Sequence, residues 1–553
     1  MNSVCVDKNS RKFTLFGLKP DCSEERLWRP VRVKKIALIW PKGYDPTYSI
    51  PLPYGYLKSN IDESRYEVRI FDNTILNRLA ADELFKQDLQ EFNPDLVGVS
   101  TWSPMSIEAL DCLKVAKELN PEVITCIGGA HATSYHEKIV GAKGVDFLFR
   151  GEADLSFSVF LEQLEKQDPD FFNVKGLIFR GKESVIANDL DREEDLDKIK
   201  IPDYDSIQLD YYVRNGYRWN CPPKINAPVW ITRGCPYRCG YCAAPELNGK
   251  PIRTHSIPYM IEWIKYLYFQ RGVRWVNILD DNFTYHKKYA KEFCRAVIDL
   301  RLKGLRFGTP NGIRMERGDK ELWTLMKQAG WQTLMVAPET GSEKTIKRMD
   351  KDLDLKIVPR IVKEIQEVGL KVQGFLILGY PGESKEDLLA TRELILKCAF
   401  NFVFLASFQP LPGTPIYKEL VSNKELPEGL LPHSYSDGTR AYMPDALKKF
   451  NFPKFILQTH LLMMINDPKN LPYHLSLMFK LFAPRQIFKK VILIFFYSLF
   501  PKRQAGETLI FSPANQQNQV AQSQDIEENS SFIYPPMHQQ AQSLQAEKTK
   551  EEA

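Results

Sequence analysis

Thr232-Arg-Gly-Cys-Pro-Tyr-Arg-Cys-Gly-Tyr-Cys242 brings three of the chain's ten cysteines into eight residues. The stretch includes the end of an apolar run, Val229–Arg233, that predicts a strand, so the cysteines belong to the loop where that strand ends. Gly234 and Gly240 allow the loop to bend tightly. Three thiols on one short loop, spaced C-x3-C-x2-C, predict a shared metal centre.

The missing fourth ligand indicates which centre this is. Soft thiolates select zinc or an iron–sulfur cluster, and structural zinc takes a fourth Cys or His at paired spacing. Cys221 lies fourteen residues before the first cysteine of the motif and His255 thirteen after the last, and neither completes such a pair. The pattern therefore favours, over zinc, a 4Fe–4S cluster bound by Cys235, Cys239 and Cys242, with one iron left open.

The sequence around the motif alternates strand-like and helix-like runs from about residue 211 to residue 425. Six such units predict a partial (β/α)6 TIM-type barrel, whose functional residues should follow the carboxyl ends of its strands. The predicted strands are Val229–Arg233, Val273–Leu279, Phe307–Ile313, Thr333–Ala337, Val372–Leu378 and Val403–Phe408.

A first module, residues 35–190, shows the same alternation. It predicts a doubly wound, Rossmann-like parallel sheet covered by helices on both faces, with its ligand beyond the carboxyl ends of the strands. The predicted strands are Lys35–Trp40, Tyr66–Phe71, Asp95–Ser100, Val123–Ile127 and Val145–Phe149.

Composition narrows the class of protein. A hydrophobic content of 44% and a charged content of 26% are those of a globular protein, and a net charge of +5 over 553 residues does not indicate a nucleic-acid partner. Ten cysteines are too few for a disulfide scaffold. The N-terminal residues do not resemble a signal peptide, and no apolar run reaches membrane-spanning length, so we expect a cytoplasmic protein.

At the cysteine motif the chain resembles the radical S-adenosylmethionine superfamily, and the resemblance covers about residues 225–410. It implies that the open iron chelates S-adenosylmethionine, and that one electron, from a donor of the flavodoxin or ferredoxin type, yields a 5′-deoxyadenosyl radical. Strand ends that fit the resemblance add candidate cofactor-binding residues, each of which could instead be a cap, a surface charge or a loop residue. They are Tyr241 beside the cluster, Asp280 and Asp281 near the methionine amino group, Arg314 at its carboxylate, and Glu339 and Ser342 at the end of the fourth strand.

A doubly wound domain before such a module resembles the cobalamin-binding subfamily. Pro51–Leu57, Gly128–Thr133 and Phe149–Asp154 carry the resemblance, although each could be an ordinary tight turn. It implies cobalamin contacts from Gly128, Gly129, His131, Gly151 and Glu152. The chain departs from many cobalamin proteins because it contains no D-x-H-x-x-G motif, so the resemblance implies no protein histidine on cobalt.

The carboxy-terminal region is different in kind. Residues 468–506 contain seven Lys or Arg and no Asp or Glu, and Val491–Phe500 is a short apolar and aromatic run within them. Such a segment is typical of a peripheral helix at an anionic membrane face, here the inner one, and the alternative is a helix that caps the barrel. We therefore expect an extension (1–34), the sheet domain (35–190), a linker (191–224), the barrel (225–425), a helical basic region (426–503) and a disordered tail (504–553).

Together these features predict a cobalamin-dependent radical enzyme that methylates or otherwise modifies an unactivated carbon of a hydrophobic small molecule, for example a lipid. Relatives of this subfamily also catalyse cyclisation and rearrangement. A methylthiotransferase would need a second cluster, for which Cys5, Cys22, Cys112 and Cys126 lack suitable spacing. An alternative of another class is a non-catalytic cobalamin- or metal-binding sensor.

Overall fold

The computed structural model describes residues 30–42, 50–181, 184–190, 192–215, 217, 225–427 and 442–474, and the backbone of residues 5–6 and 12–14. The apolar run within the basic segment and the tail that follows it lie outside the described residues. Described residues from 30 to 426 and from 442 to 474 belong to one compact unit.

The first module is a mixed sheet with a parallel centre. Strands β4, β3, β5, β6 and β7 run parallel in that order, and β8, β9, β2 and β1 extend the sheet in antiparallel fashion beyond β7. The five predicted strands are confirmed within two residues at each end, whereas the antiparallel extension was not predicted. The strands are β1 (Cys5–Val6), β2 (Lys12–Thr14), β3 (Lys35–Trp40), β4 (Glu67–Asp72), β5 (Leu96–Ser100), β6 (Ile124–Gly128), β7 (Phe147–Phe149), β8 (Leu177–Arg180) and β9 (Val185–Ala187).

The strand order creates a switch point. The chain goes from β3 to one neighbour, β4, and then crosses to the other side, β5, which is the strand order that creates a ligand-binding crevice at the carboxyl ends of such sheets. Tyr54 joins these two strands, because its hydroxyl accepts a hydrogen bond from the Ser100 N–H at 2.6 Å and donates one to the Ile39 carbonyl at 2.5 Å. The predicted ligand edge of the sheet therefore lies at the carboxyl ends of β3 and β5, and we call this edge the crevice of the first sheet.

The second module is an open arc of six parallel strands. Two three-stranded parallel sheets, β10-β13-β14 and β15-β16-β17, are linked by parallel bridges from Phe307 to Trp331 and from Ile313 to Val336. This confirms the partial barrel, but its predicted first strand, Val229–Arg233, is wrong, because the barrel strand ends at Val229 and Thr232–Arg233 pairs with Arg253–Thr254 instead. A short antiparallel pair, β11 with β12, lies beside the arc. The strands are β10 (Asn226–Val229), β11 (Thr232–Arg233), β12 (Arg253–Thr254), β13 (Trp275–Ile278), β14 (Arg306–Gly308), β15 (Thr333–Glu339), β16 (Lys371–Leu378) and β17 (Phe402–Ser407).

The helices cover the sheet and the arc through apolar faces, as on α13, where Val358, Ile361, Val362 and Ile365 are buried at helical spacing. Among the described residues, no helix is both long and apolar enough to cross a membrane. The helices are α1 (Leu52–Asn60), α2 (Glu83–Phe92), α3 (Ser106–Leu119), α4 (Ala130–Ser134), α5 (His136–Ile139), α6 (Ser156–Leu164), α7 (Leu209–Arg214), α8 (Ala244–Asn248), α9 (Ile257–Lys265), α10 (Lys287–Asp299), α11 (Lys320–Ala329), α12 (Glu343–Arg348), α13 (Val358–Glu367), α14 (Lys385–Cys398), α15 (Pro415–Ser422) and α16 (Phe452–Asn466).

The predicted linker is a packed connector over residues 192–215. Most of its apolar side chains are buried, Leu196 and Tyr204 completely. The Tyr204 hydroxyl donates to the Pro228 carbonyl of β10 at 2.6 Å, and the Asp203 N–H donates to the Gly55 carbonyl of α1 at 3.0 Å. The connector therefore bonds to both modules, which restricts their relative movement.

Candidate active site

The cysteine loop is held in shape by backbone hydrogen bonds to distant segments. The Cys235 N–H donates to the Gly249 carbonyl at 2.9 Å, and the Gly240 N–H donates to the Met349 carbonyl at 2.8 Å. Cys235, Cys239 and Cys242 are free thiols, partly exposed, at the carboxyl-end side of the first barrel strand. The structure therefore brings the three predicted ligands together on one loop.

Gly234 shows why the loop needs glycine. Its φ of +98° lies in the left-handed region, and a Cβ there would stand 2.2 Å from the Pro251 carbonyl oxygen. No other residue fits this close approach between the loop and the segment that precedes β12. The sequence motif thus encodes the turn as well as the ligands.

The electrostatics of the loop suit a cationic cluster. Burial, with nearby Asp281 and the other two cysteines, raises the pKa of Cys242 to about 12, and burial also raises the pKa of Cys235. Thiols in such surroundings ionise only when a positive centre takes the thiolates as ligands. Among the described residues no three His, Cys, Asp or Glu side chains converge to hold a single metal ion. A cubane presents a different iron to each thiolate, so its cysteines need not converge on one point.

Arg314 lies directly against the loop. Its guanidinium donates to the Cys239 sulfur at 3.5 Å and to the Glu316 carboxylate at 2.8 Å, and it stacks 3.4 Å from the ring centroid of Tyr237. The guanidinium therefore places a positive charge next to Cys239. Arg314 thus lies against the cysteine loop with one guanidinium nitrogen bonded to Glu316, and its contact with the methionine carboxylate stays a prediction.

Glu339 contacts the cluster loop through Tyr241. Its carboxylate accepts from the Tyr241 hydroxyl at 2.7 Å and from the Lys351 ammonium at 2.8 Å, and both charged side chains are almost fully buried. Glu339 has a φ of +65° and follows a register shift between β15 and β16. Such backbone strain in a residue other than glycine is typical of functional positions. Lys351 was not predicted as a site residue, because the sequence around it contains no recognisable motif.

Ser342 and Asp280 both bond to protein groups, and their predicted cofactor contacts stay predictions. Ser342 caps α12, accepting from the Thr345 N–H at 3.1 Å and donating to Asp387 at 2.6 Å. The two carboxylate oxygens of Asp280 accept from the Ile231 and Thr232 N–H groups at 2.8 and 3.0 Å. Both side chains accept hydrogen bonds from backbone N–H groups that need an acceptor, and for Asp280 these groups are almost fifty residues away, which a strand-end motif does not reveal. Burial raises the pKa of Asp280 to about 7.

The two residues after Asp280 are better placed for a ligand. Asp281 accepts from the Asn248 side chain at 2.8 Å, and Coulombic interactions link it to Cys235 and Cys242. Asn282 is 2% exposed, and neither atom of its side-chain amide has a hydrogen-bond partner. A buried amide in that state fits a polar ligand such as the methionine moiety of S-adenosylmethionine. Of the three polar residues that follow β13, Asp281 and Asn282 are therefore the candidates for cofactor contact.

The crevice of the first sheet is shaped by glycine backbone. Gly129 has a φ of +95°, and a Cβ there would stand 2.7 Å from the Ser100 side chain and from the Thr101 carbonyl. Gly128 ends β6 with room for a Cβ, and Gly151, at φ +72°, donates its N–H to the Thr133 hydroxyl at 2.9 Å. Turns this tight leave the strand ends open to a large planar ligand.

The His131 side chain is not exposed in this crevice, so it is not available as a ligand there. Its ring is 4% exposed and lies 3.0 Å from the Ser103 hydroxyl. Burial lowers its pKa to about 4, so the ring is neutral. This placement agrees with the lack of a D-x-H-x-x-G motif, and it makes His131 part of the wall of the crevice.

Glu152 faces the barrel rather than the crevice. Its carboxylate accepts from Arg253 at 3.0 Å and lies 3.2 Å from Arg233 in the cluster segment. Glu152 therefore forms ion pairs between the modules, and its predicted cobalamin contact stays a prediction. α4 also contacts α8, and the Gly413 turn packs against Ser134. The carboxyl ends of the sheet strands and the cysteine loop thus face each other.

Two family models match the chain, in the order of its two modules. The B12 binding domain matches residues 46–161, and the radical SAM superfamily matches residues 229–395. A chain with both is a cobalamin-binding radical S-adenosylmethionine enzyme. This chain belongs to that family, whose cofactors are a 4Fe–4S cluster, S-adenosylmethionine and cobalamin.

Individual proteins give the same result. The chain is 28% identical to an uncharacterized methyltransferase of Pyrococcus horikoshii, over 72% of this chain and 85% of that protein. It is 24% identical to the anaerobic magnesium-protoporphyrin IX monomethyl ester cyclase of Rubrivivax gelatinosus, over 75% of this chain and 72% of the cyclase. The radical S-adenosylmethionine methyltransferase TsrM of Kitasatospora setae, 17% identical, shares the fold with a TM-score of 0.59 over 70% of this chain and 76% of TsrM.

Proposed function

We propose that this enzyme transfers a methyl group to an unactivated carbon of a hydrophobic small molecule. The observation that carries the proposal is the opposition of the glycine crevice and the cysteine loop, which would place cobalamin and the cluster on two sides of one substrate space. The methyltransferase names of the Pyrococcus horikoshii relative and of TsrM support methylation. We further propose that the sheet domain, connector, barrel and carboxy-terminal region have the bounds expected from the sequence.

When bound, the cluster and S-adenosylmethionine supply a radical that removes a hydrogen atom, and cobalamin supplies the methyl group. The residues of the chain hold this arrangement. Glu339 and Lys351 fix Tyr241 within the cluster loop, and Arg314 places a positive charge at Cys239. Asn282 offers a buried amide to S-adenosylmethionine. The Gly129 turn keeps the strand ends clear for cobalamin.

Isotope labelling tests methylation even while the substrate is unidentified. Reconstituted enzyme is incubated with an extract of its source cells, a reductant, hydroxocobalamin and S-adenosylmethionine carrying a trideuterated methyl group. We expect an extract component to gain one labelled methyl group, and Cys239→Ala enzyme to produce none. Formation of 5′-deoxyadenosine together with an altered but unlabelled component would contradict methylation. Absence of 5′-deoxyadenosine would instead favour a non-catalytic sensor.

Cyclisation is the second candidate, because the Rubrivivax gelatinosus relative is named a cyclase. Both reactions can begin with removal of a hydrogen atom at the same substrate space. The labelling experiment separates them, since a cyclised product retains the carbon count of its precursor. The methylthiotransferase alternative loses support because Cys112 and Cys126 are buried free thiols in the core.

A hydrophobic, lipid-like substrate and peripheral membrane contact remain proposals supported by the carboxy-terminal region. Helix α16 exposes Leu461, Leu462 and Ile465 on one face, with Ile465 at 73% exposure. The sequence that follows carries seven Lys or Arg between residues 468 and 506 and no acidic residue. An apolar face that continues into basic sequence suits an anionic lipid surface.

Sedimentation with lipid vesicles tests this contact. We expect the enzyme to bind vesicles that contain phosphatidylglycerol more strongly than neutral ones, and Leu461→Ser with Ile465→Ser to weaken that binding. Leu84→Ser is the matched control, because Leu84 is 57% exposed on α2 of the sheet domain. Equal recovery of all three proteins in the supernatant would contradict membrane contact.

We also propose an electron donor of the flavodoxin or ferredoxin type, both of which are acidic proteins. The cluster loop exposes Arg238, and exposed Arg317 donates to the Tyr237 hydroxyl at 2.5 Å. Arg238→Glu should slow reduction of the cluster by flavodoxin and leave reduction by dithionite unchanged, as stopped-flow absorbance would show. Equal slowing with both reductants would contradict a docking role.

A further inference from the structure

Four charged side chains are buried where the sheet domain meets the cluster segment. Glu152 and Asp154 follow β7, and Arg233 and Arg253 are paired residues of β11 and β12. Their exposed side-chain fractions are 7% and 12% for the carboxylates and 6% and 8% for the guanidinium groups. We call this set the interdomain charge network.

Arg233 is the centre of the network. It bonds Asp154 with both prongs of its fork, at 2.7 and 3.0 Å, and lies 3.2 Å from Glu152. Its guanidinium also lies 5.2 Å from the ring centroid of Tyr56 in α1. Both terminal nitrogens of the guanidinium and one face of its plane therefore contact groups of the sheet domain, which fix its position.

The network adjoins the cluster ligands directly. Arg233 is followed by the constrained turn at Gly234 and then by Cys235, so displacement of Arg233 displaces the first ligand. Arg253, held by Glu152, fixes the partner strand β12 in the same way. Glu152 and Asp154, for their part, continue from the Gly151 turn at the ligand edge of the sheet.

Burying ionic groups carries a desolvation penalty that well-packed apolar residues avoid, so such a network is weak evidence for stability alone. A bidentate bond does, however, define distance and direction better than an apolar contact. The network connects the two cofactor-bearing segments through short, rigid covalent paths. Its geometry therefore suits a spacer between them.

We propose that Arg233, with Asp154, Glu152 and Arg253, is a positioning element that sets the distance between cobalamin and the cluster. Neither the established cofactors nor the proposed methylation assigns a role to these residues. They act on the reaction through Cys235 and the Gly151 turn.

Pulsed electron paramagnetic resonance tests the spacing and needs no substrate. In dithionite-reduced enzyme loaded with hydroxocobalamin, cob(II)alamin and the reduced cluster are both paramagnetic, and the cluster accelerates cob(II)alamin relaxation more steeply the closer it lies. Asp154→Asn and Arg233→Lys remove the bidentate bond. A displacement on the order of an ångström should change the relaxation enhancement by about twofold and broaden its distribution, with both cofactors still bound.

Controls keep the test decisive. Glu165→Gln breaks an exposed ion pair with Arg65 within the sheet domain and should leave relaxation unchanged. If Asp154→Asn does not fold, Asp154→Leu combined with Arg233→Met removes both charges with little change in volume, and it should show the same altered relaxation. Wild-type relaxation in the folded variants would overturn the proposal. So would loss of either cofactor from the folded paired variant, because the network would then belong to a binding site.

Discussion

The cysteine loop and the crevice of the first sheet face each other, yet they are built by different means. On the loop, side chains carry the chemistry: three thiols, Arg314 beside Cys239, and a buried carboxylate that holds Tyr241. On the crevice, backbone carries the shape: Gly129 makes a turn that no Cβ can enter, and His131 is a buried neutral ring.

The difference follows from the ligands. A cluster is attached by covalent bonds to named atoms, so its site must contain particular side chains. Cobalamin held without a protein ligand on cobalt is recognised by shape, so its site needs space and small residues. Substitutions in the cysteine loop should therefore act by removing a cluster ligand. Substitutions in the crevice should act by filling the space that cobalamin needs.

The largest effect should come from Cys239→Ala. Loss of one of three thiolates should abolish cluster binding and cleavage of S-adenosylmethionine, seen as loss of iron, of visible absorbance and of 5′-deoxyadenosine. Cys294→Ala, at a buried free cysteine of α10, is the matched control and should retain the cluster. A complete, active cluster in Cys239→Ala would refute the ligand assignment.

Glu339→Gln should destabilise the structure around the cysteine loop by removing one partner of a buried ion pair. It leaves the Lys351 ammonium buried without its carboxylate, which costs about 3–4 kcal/mol in the free energy of unfolding. Adding Lys351→Met should restore most of that loss, because the buried charge is gone. Denaturant unfolding of the single and double variants measures both values, and an equally unstable double variant would contradict the ion-pair explanation.

Gly129→Ala should damage the crevice through shape. The new Cβ would clash at 2.7 Å in a backbone conformation that favours glycine, which should cost about 3 kcal/mol in stability and weaken cobalamin binding. Gly304→Ala is its matched control, since Gly304 also has a left-handed backbone, at φ +78°, lies before β14 of the barrel, and has no atom within 4 Å of a Cβ. Spectroscopic titration with hydroxocobalamin would compare the two, and similar affinity in both variants would remove Gly129 from the site.

The smallest expected effect on the free energy of unfolding, when measured at a single pH, comes from Asp72. This residue lies where the sheet meets the connector. Its carboxylate accepts from the Tyr212 hydroxyl at 2.6 Å, and burial raises its pKa to about 6. The folded state therefore holds this proton more tightly than the unfolded chain. Stability is favoured at low pH and falls gradually as pH rises from about 4 to about 6, by no more than about 3 kcal/mol in all.

Asp72→Asn removes that proton without removing the hydrogen bonds, because the amide can donate to Tyr212 and accept from the Thr74 and Ile75 N–H groups. Urea unfolding at a series of pH values should show a flatter profile for the variant between pH 4 and 6. An unchanged slope would mean that other groups cause the dependence.

Much of the fold and part of the site were predictable from local pattern. Continuous apolar runs such as Leu96–Ser100 marked the parallel strands, because strands buried on both faces need them. The antiparallel strands β8 and β9 were not predicted, because each is only three or four residues long and so short a run shows no clear pattern. The connector was predicted to be a polar linker, although its residues Leu196 and Tyr204 are buried between the modules.

The sequence by itself predicted the cluster ligands and determined the turn at Gly234 and the family. The physical reason is that a set of covalent ligands on one loop and a conformation that only glycine adopts both depend on neighbouring residues in the sequence. Tertiary structure decided which other polar residues serve the site. Asp280 and Ser342 satisfy nearby backbone, Glu152 pairs with Arg233 and Arg253, and Lys351 joins Glu339. The physical reason is that a buried charge or hydrogen-bonding group is satisfied by whichever partner the fold brings within about 3 Å, and that partner can be a hundred residues away.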